Sequence, residues 1–263
     1  MKESKMMTLQ KNIQDLVDYN YIVSMGLLTS SAITGEFVNT FKYSFWNTGA
    51  PMSQFNVFFI KEKTSKPEKL LQKAEEYFGG RGLPFRVSFR EGLEKDFLPS
   101  LEDKGYKEVQ PSTVMTLMSL PETNPYDKDL TIRRVEDAKG LADFQKVAEQ
   151  SYGLGDGVGP FVITEAVLNL PDVELFVGYS EDQPASTSML FKTGTAAGVY
   201  WVATLEAFRN RGFGRAITAQ PLAAGKKRGC TFACLQASEM GKPVYEKMGF
   251  DHPYNYRCFA LAG

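Results

Sequence analysis

The residue types best suited to chemistry in this chain fall in one stretch, residues 199–217, VYWVATLEAFRNRGFGRAI. A strand-like run leads into Arg209, Asn210, Arg211, Gly212, Phe213, Gly214 and Arg215, and an Ala- and Leu-containing helical pattern opens at once. Glycine lets backbone N–H groups converge without an intervening Cβ, and the first turn of a helix adds unpaired donors and the positive end of its dipole. Such a loop can cradle a diphosphate, and its arginines suit a polyanion. The spacing matches neither GxxxxGK[ST] nor GxGxxG, so Walker-type and dinucleotide-binding readings gain no support. An ordinary glycine turn with solvated arginines is the competing explanation.

The elements around the loop must position it. LTIRRV at residues 130–135 reads as a strand, and AKGLADFQKVAEQSYG places Leu141, Phe144, Val147 and Ala148 at helical spacing. A further helix is expected over residues 163–169. VELFVGYSE, STSMLFKTG and AAGVYWVATL read as an antiparallel meander, rich in β-branched and aromatic residues. Residues 214–227 read as a helix ending at Gly229, TFACLQAS as a strand, PVYEKMG as a short helix and YNYRCFAL as a closing strand. The alternation implies an α/β (α+β) fold with helices flanking one central sheet.

In that setting, Arg209 to Gly214 resembles the [Q/R]-x-x-G-x-[G/A] signature of the GNAT acyltransferases. LQASEMGKPVYEKMGF resembles the family's next strand and helix, closing on Y-x-K-x-G-F at Tyr245, Lys247, Gly249 and Phe250. The resemblance covers residues 130–261. It implies a mixed, mostly antiparallel sheet and transfer of an acetyl or other acyl group from acyl-CoA to a primary amine in a ternary complex. A small amine, an amino acid and a peptide terminus all remain open as acceptors. It further implies that Arg209, Asn210, Arg211, Gly212, Phe213, Gly214 and Arg215 hold the pyrophosphate. Val202, Ala203 and Thr204 would pair with the pantetheine arm like an added strand and offer an N–H to the thioester oxygen.

Tyr245 matches the family's tyrosine that protonates the departing thiolate. A phenol with an ordinary pKa of about 10 keeps its proton at neutral pH; packing beneath the cofactor is the alternative. Ser238 stands where relatives contact CoA or a catalytic water, with a helix cap as the alternative. No general base is assigned. The run AAGVYWVAT lacks a carboxylate, the single His252 follows a turn, and Glu206 and Glu239 read as solvent-facing charges. Water can carry the proton. The rival reading is a non-catalytic acyl-CoA-binding sensor.

The linker signal LPETNPYDKDL divides the chain into a smaller α/β N-terminal domain at residues 1–121 and the acyltransferase domain at residues 128–263. FNVFFIKE, PEKLLQKAEEYF, PFRVSFRE, DFLPSLEDKGY and STVMTLMSL read as strand, helix, strand, helix start and strand. Leu101, Gly105 and Tyr106 stand 144 positions before Tyr245, Gly249 and Phe250, as in a degenerate copy. That copy lacks a glycine loop before its helix and has Leu101 in place of the tyrosine. The first half is therefore expected to shape the acceptor groove or cover a sheet edge. An interaction surface in KYSFWNTGAPMSQFNVFFI is a further alternative to buried core.

Composition narrows the partners. Thirty Lys and Arg against 31 Asp and Glu leave a net charge of −1, so no overall basic field draws nucleic acid. No run of about 18 apolar residues spans a membrane. Cys230, Cys234 and Cys258 with one histidine do not make a zinc pattern, and buried thiols suit a reducing cytoplasm. A homodimer stays open.

Overall fold

In the computed structural model, residues 2–32, 34–126, 130–154 and 162–261 are described, residues 2–11 by their backbone alone. The first half contributes helix α1 (Lys2–Ser30), strands β1 (Glu36–Asn39), β2 (Tyr43–Asn47) and β3 (Asn56–Ile60), helix α2 (Pro67–Gly79), strand β4 (Arg86–Arg90), helix α3 (Leu98–Asp103) and strand β5 (Tyr106–Leu117). The second half contributes β6 (Thr131–Arg134), α4 (Ala138–Tyr152), β7 (Val173–Ser180), β8 (Gln183–Thr193), β9 (Ala196–Thr204), α5 (Phe213–Lys227), β10 (Phe232–Ala237), α6 (Lys242–Lys247) and β11 (Asp251–Leu261). The stretch expected as a helix over residues 163–169 is a 3-10 segment, Glu165–Asn169. Only five residues separate Thr164 from Leu170, both extended, so a full α-turn ladder does not establish itself.

All eleven strands join one sheet in the order β1-β2-β3-β4-β11-β5-β10-β9-β8-β7-β6. Only β3–β4 and β9–β10 pair in parallel, each pair bridged by a crossover helix, α2 or α5. The last strand, β11, lies between β4 and β5, and β5 in turn lies against β10. Each half thus lends its final strand to the other. Helices α3 and α6 start and end 144 positions apart, and the cross-strand partners Ser112 and Tyr256 show the same separation. A pair that maps onto itself under that offset lies on a local twofold relating the halves.

Two layers of helices cover this sheet. On one face α5 packs over Leu190, Ala197, Val199 and Leu235, and α2 over Phe58, Ile60 and Val87. On the other, α1 covers Trp46, Val57, Phe59, Phe232 and Tyr256, so neighbouring residues of β3 serve opposite layers. The aromatic run of the first half is therefore core: Phe45, Trp46, Phe58 and Phe59 are buried, and the alternative of a surface patch does not hold for them.

Helix α1 is pinned by polar bonds as well as by apolar contact. Asn20, fully buried, donates to the Phe191 carbonyl at 3.1 Å and to the Thr193 hydroxyl at 2.8 Å, and accepts from the Tyr200 hydroxyl at 2.6 Å. Gly198 makes room for it, since a Cβ there would collide with the Asn20 side chain. Asp18 accepts from the Tyr254 and Tyr256 hydroxyls, both at 2.8 Å, and pairs with Arg90 at 3.0 Å. One helix therefore ties strands of both halves together.

Candidate functional site

Strands β9 and β10 pair only from Ala196–Phe232 to Gly198–Cys234, after which β9 continues to Thr204 and β10 to Ala237. The two strands splay, and the β10-facing edge of β9 is left to other partners. The splay coincides with a bulge. Tyr200 faces Met189 and Ala203 faces Thr187, so Trp201 and Val202 together oppose the single Ser188, and Trp201 takes a φ of +52°. A left-handed tryptophan costs about 1–2 kcal/mol. The strain puts Tyr200 and Trp201 on the α1 side of the sheet while Val199 and Val202 pack toward α5.

A cleft of about 530 Å³ opens at this splay, bounded by the end of β9, the start of α5 and helix α6. Of the twelve residues singled out in the sequence, eleven line it: Val202, Ala203, Thr204, Arg209, Asn210, Gly212, Phe213, Gly214, Arg215, Ser238 and Tyr245. Arg211 does not. Its guanidinium donates to the Ser180 hydroxyl at 3.3 Å and rests on the Phe213 ring, so only its backbone belongs to the loop.

The loop has the geometry of an anion cradle. Asn210 and Gly212 both adopt left-handed backbone, with φ of +63° and +83°, and turn the chain sharply into α5. Asparagine and glycine are the residues that tolerate this. A Cβ built on Gly214 would meet only Thr204 Oγ1, at 3.9 Å, so the protein itself leaves that space open beside the first-turn N–H groups. The Arg215 Nε is buried with no partner, a donor left for a bound group. Arg209, Arg215 and Lys247 line the cleft, and no Asp, Glu or His stands among its described lining residues. These residues fit the diphosphate of a CoA thioester.

Tyr245 stands in the second turn of α6 and is buried, 7% exposed. Burial pushes its phenol well above the ordinary range, partly offset by the Thr218 side chain, so it is protonated at neutral pH. Gly241 Cα approaches this ring closely, because a Cβ there would come within 3.0 Å of it. Ser238 Oγ accepts from the Gly241 N–H at 3.1 Å, which closes the turn leading into α6 at the cleft wall. His252 stands in β11 beside Asn255, and Glu206 and Glu239 are exposed and not among the described lining residues.

Tyr152 was not singled out in the sequence, yet it closes one end of the cleft. It ends α4 just before Gly153, whose φ of +61° stops the helix. Its hydroxyl donates to the Val202 carbonyl at 2.8 Å and its ring stands edge-on to Trp201. The signal was present: Phe144, Ala148 and Tyr152 share one helical face. Thr204 is engaged in the same way, its carbonyl accepting from Arg209 Nε at 3.2 Å. Each carbonyl keeps a second lone pair free for a further donor.

Residues 171–252 match the family described as Acetyltransferase (GNAT) domain. Among solved structures, a GCN5-related N-acetyltransferase from Kribbella flavida is 16% identical and aligns over 94% of this chain and 95% of its own, with a TM-score of 0.69. The C-terminal half has a GNAT fold. A GCN5-related N-acetyltransferase from Sphaerobacter thermophilus aligns over 78% of this chain and 72% of its own at 17% identity, TM-score 0.62. A functionally unknown conserved protein from Staphylococcus epidermidis, also 17% identical, covers 87% of this chain and 94% of its own, TM-score 0.64. At such identities the shared property is the fold. No curated protein sequence matches the chain. The matched GNAT segment contains the splay, the cradle and Tyr245, and leaves α1 and the strands of the first half outside it.

Proposed function

We propose that this protein is an N-acyltransferase that moves an acetyl or other acyl group from acyl-CoA to a primary amine. The observation that carries the proposal is the cradle: open space at Gly214 beside first-turn N–H groups, cationic side chains around it and an unpartnered Arg215 Nε. CoA would supply the acyl group as an activated thioester. Asn210 to Arg215 would hold the diphosphate by backbone N–H groups, with Arg209, Arg215 and Lys247 adding charge. The free edge of β9 at Val202 to Thr204 would align the pantetheine arm and direct an N–H at the thioester oxygen, where negative charge builds during attack.

Tyr245, kept protonated by its burial, would hold a donor O–H toward the sulfur as the thiolate leaves. Ser238 would keep α6, and with it Tyr245, at the correct height through its bond to Gly241. The amine must arrive neutral or lose its proton to water, because the described lining residues include no carboxylate or imidazole.

That same absence favours one second reading, an acyl-CoA-binding sensor without turnover. Thermal unfolding with and without CoA, followed by release of free thiol from acetyl-CoA against a panel of amines, separates the two. Stabilisation with thiol release supports the enzyme. Stabilisation with no release across the panel supports the sensor, and no stabilisation at millimolar CoA overturns both.

A further inference from the structure

On the α1 side of the splay lies a second cavity of about 280 Å³ that shares Tyr152 with the CoA cleft. It is lined by residues of both halves: Tyr21, Met25, Leu28 and Thr29 of α1, Trp46 of β2, Phe55, and Tyr200, Trp201 and Gln236 at the splayed strand ends. Its rings form two groups, one around Trp201 and one around Trp46. Phe55 lies parallel to Trp201 at 6.3 Å, Tyr152 stands edge-on to Trp201 at 5.7 Å, and Tyr21 stands edge-on to Trp46 at 5.5 Å. None of the described lining residues carries a charge. The polar groups are few, namely Thr29, Thr48, Gln54, Gln236 and the tyrosine hydroxyls. The Gln236 Nε2 is buried with no partner.

From this lining we infer that the acceptor is a flat aromatic amine that is uncharged at neutral pH. The inference rests on the acyl-transfer reading for the word acceptor and on the cavity alone for the chemistry of its occupant. An apolar, aromatic wall penalises a cation through desolvation, and among the described lining residues no carboxylate repays that cost. Polyamines therefore find no acidic partner among these described residues, and free amino acids find no cation there for their carboxylate. Aromatic amines escape both demands, because their nitrogen is only weakly basic and their rings match the stacking and edge-on positions offered. Size agrees: a dry cavity of about 150 Å³ accommodates benzene, so this one holds a one- or two-ring amine. The unpartnered Gln236 Nε2 supplies one donor for a ring substituent. A neutral amine also meets the need noted above for a nucleophile that requires no base.

The chain has two tryptophans, Trp46 and Trp201, and both line this cavity, so intrinsic fluorescence reports on it without any turnover. The test compares aniline with cyclohexylamine, equal in ring size but cationic and non-planar, and with spermidine and glycine. Full-length protein, Trp46→Phe and Trp201→Phe are titrated with each amine in the absence of CoA. Aniline is expected to quench all three proteins and to bind at least tenfold more tightly than cyclohexylamine, with no response to spermidine or glycine. Equal affinity for aniline and cyclohexylamine overturns the inference. So does a flat aniline titration in protein that CoA still stabilises, which leaves the acyl-transfer reading standing. Quenching by aniline without thiol release, where another amine of the panel does release thiol from acetyl-CoA, overturns the acceptor assignment; no release with any amine of the panel sinks the acyl-transfer reading instead.

Discussion

Replacing Gly214 with valine should separate folding from cofactor binding. The added Cβ meets nothing closer than Thr204 Oγ1 at 3.9 Å, and Gly214 lies in helical backbone without a positive φ, so no clash or strain opposes the change. Helix propensity favours valine over glycine by a few tenths of a kcal/mol, so the unliganded variant should melt at or slightly above wild type. The same side chain fills the space assigned to phosphate. Losing two charge-assisted hydrogen bonds costs about 3 kcal/mol, roughly a hundredfold in Kd. CoA at about a hundred times the wild-type Kd stabilises wild type by about 2.7 kcal/mol, which raises Tm by roughly 5–10 °C for a protein of this size. At that concentration the variant should shift by only about 1 °C. Gly79→Val is the control, because a Cβ there also meets nothing within 4 Å and the residue ends α2 far from the cleft in sequence. If Gly214→Val keeps more than half of the wild-type shift, the loop does not hold the diphosphate.

Tyr245→Phe should lower kcat about a hundredfold while changing the CoA Kd by less than about threefold, because only the donor O–H is lost; equal losses in both would make it a packing residue. Asn20→Leu leaves the Tyr200 hydroxyl and the Phe191 carbonyl without their partner, and should destabilise by about 1–3 kcal/mol in urea titration. A variant as stable as wild type would show that α1 is held by apolar contact alone. Burial raises the phenols of Tyr21, Tyr200, Tyr245, Tyr254 and Tyr256. The native state therefore retains protons that the unfolded chain releases above about pH 10, and stability falls as pH rises through that range. Phenolate absorbance should rise in two phases, the second coincident with loss of circular dichroism; one phase with the fold intact would contradict the burial.

Much of the second half was legible because its signals are local. The meander, α5 and the glycine loop each declare themselves within about ten residues by alternation, helical spacing or turn chemistry. The loop could be placed because a strand precedes it and a helix follows, and the cleft gathers eleven of its twelve candidates. Helix α1 was hidden because its buried stripe includes Asn20 and Ser24 while Leu16, Tyr19 and Leu27 face solvent, which blurs the periodicity. Strand β5 begins at Tyr106, earlier than the run STVMTLMSL, because exposed positions between Lys107 and Pro111 carry polar residues that break the apolar pattern. The bulge at Trp201 and the second cavity have no local signature: one depends on a 2:1 register with β8, the other on side chains from both halves. The exchange of β5 and β11 was equally invisible, since cross-strand partners more than a hundred residues apart leave no periodic trace.

That exchange sets an order on biosynthesis. Strand β4 finishes at Arg90, but its partner β11 begins only at Asp251, about 160 residues later, which at 5–20 residues per second is roughly 10–30 seconds of translation. Throughout that interval the first half exposes an unpaired edge beside the apolar faces of Phe58, Val87 and Phe89. Strand β5 waits likewise for β10. The sheet can therefore close only once β11 has been made, and loss of β11 would strand both halves rather than one. The chain would then depend on holding factors during synthesis and fold slowly for its size, as expected where long-range pairing precedes any reward.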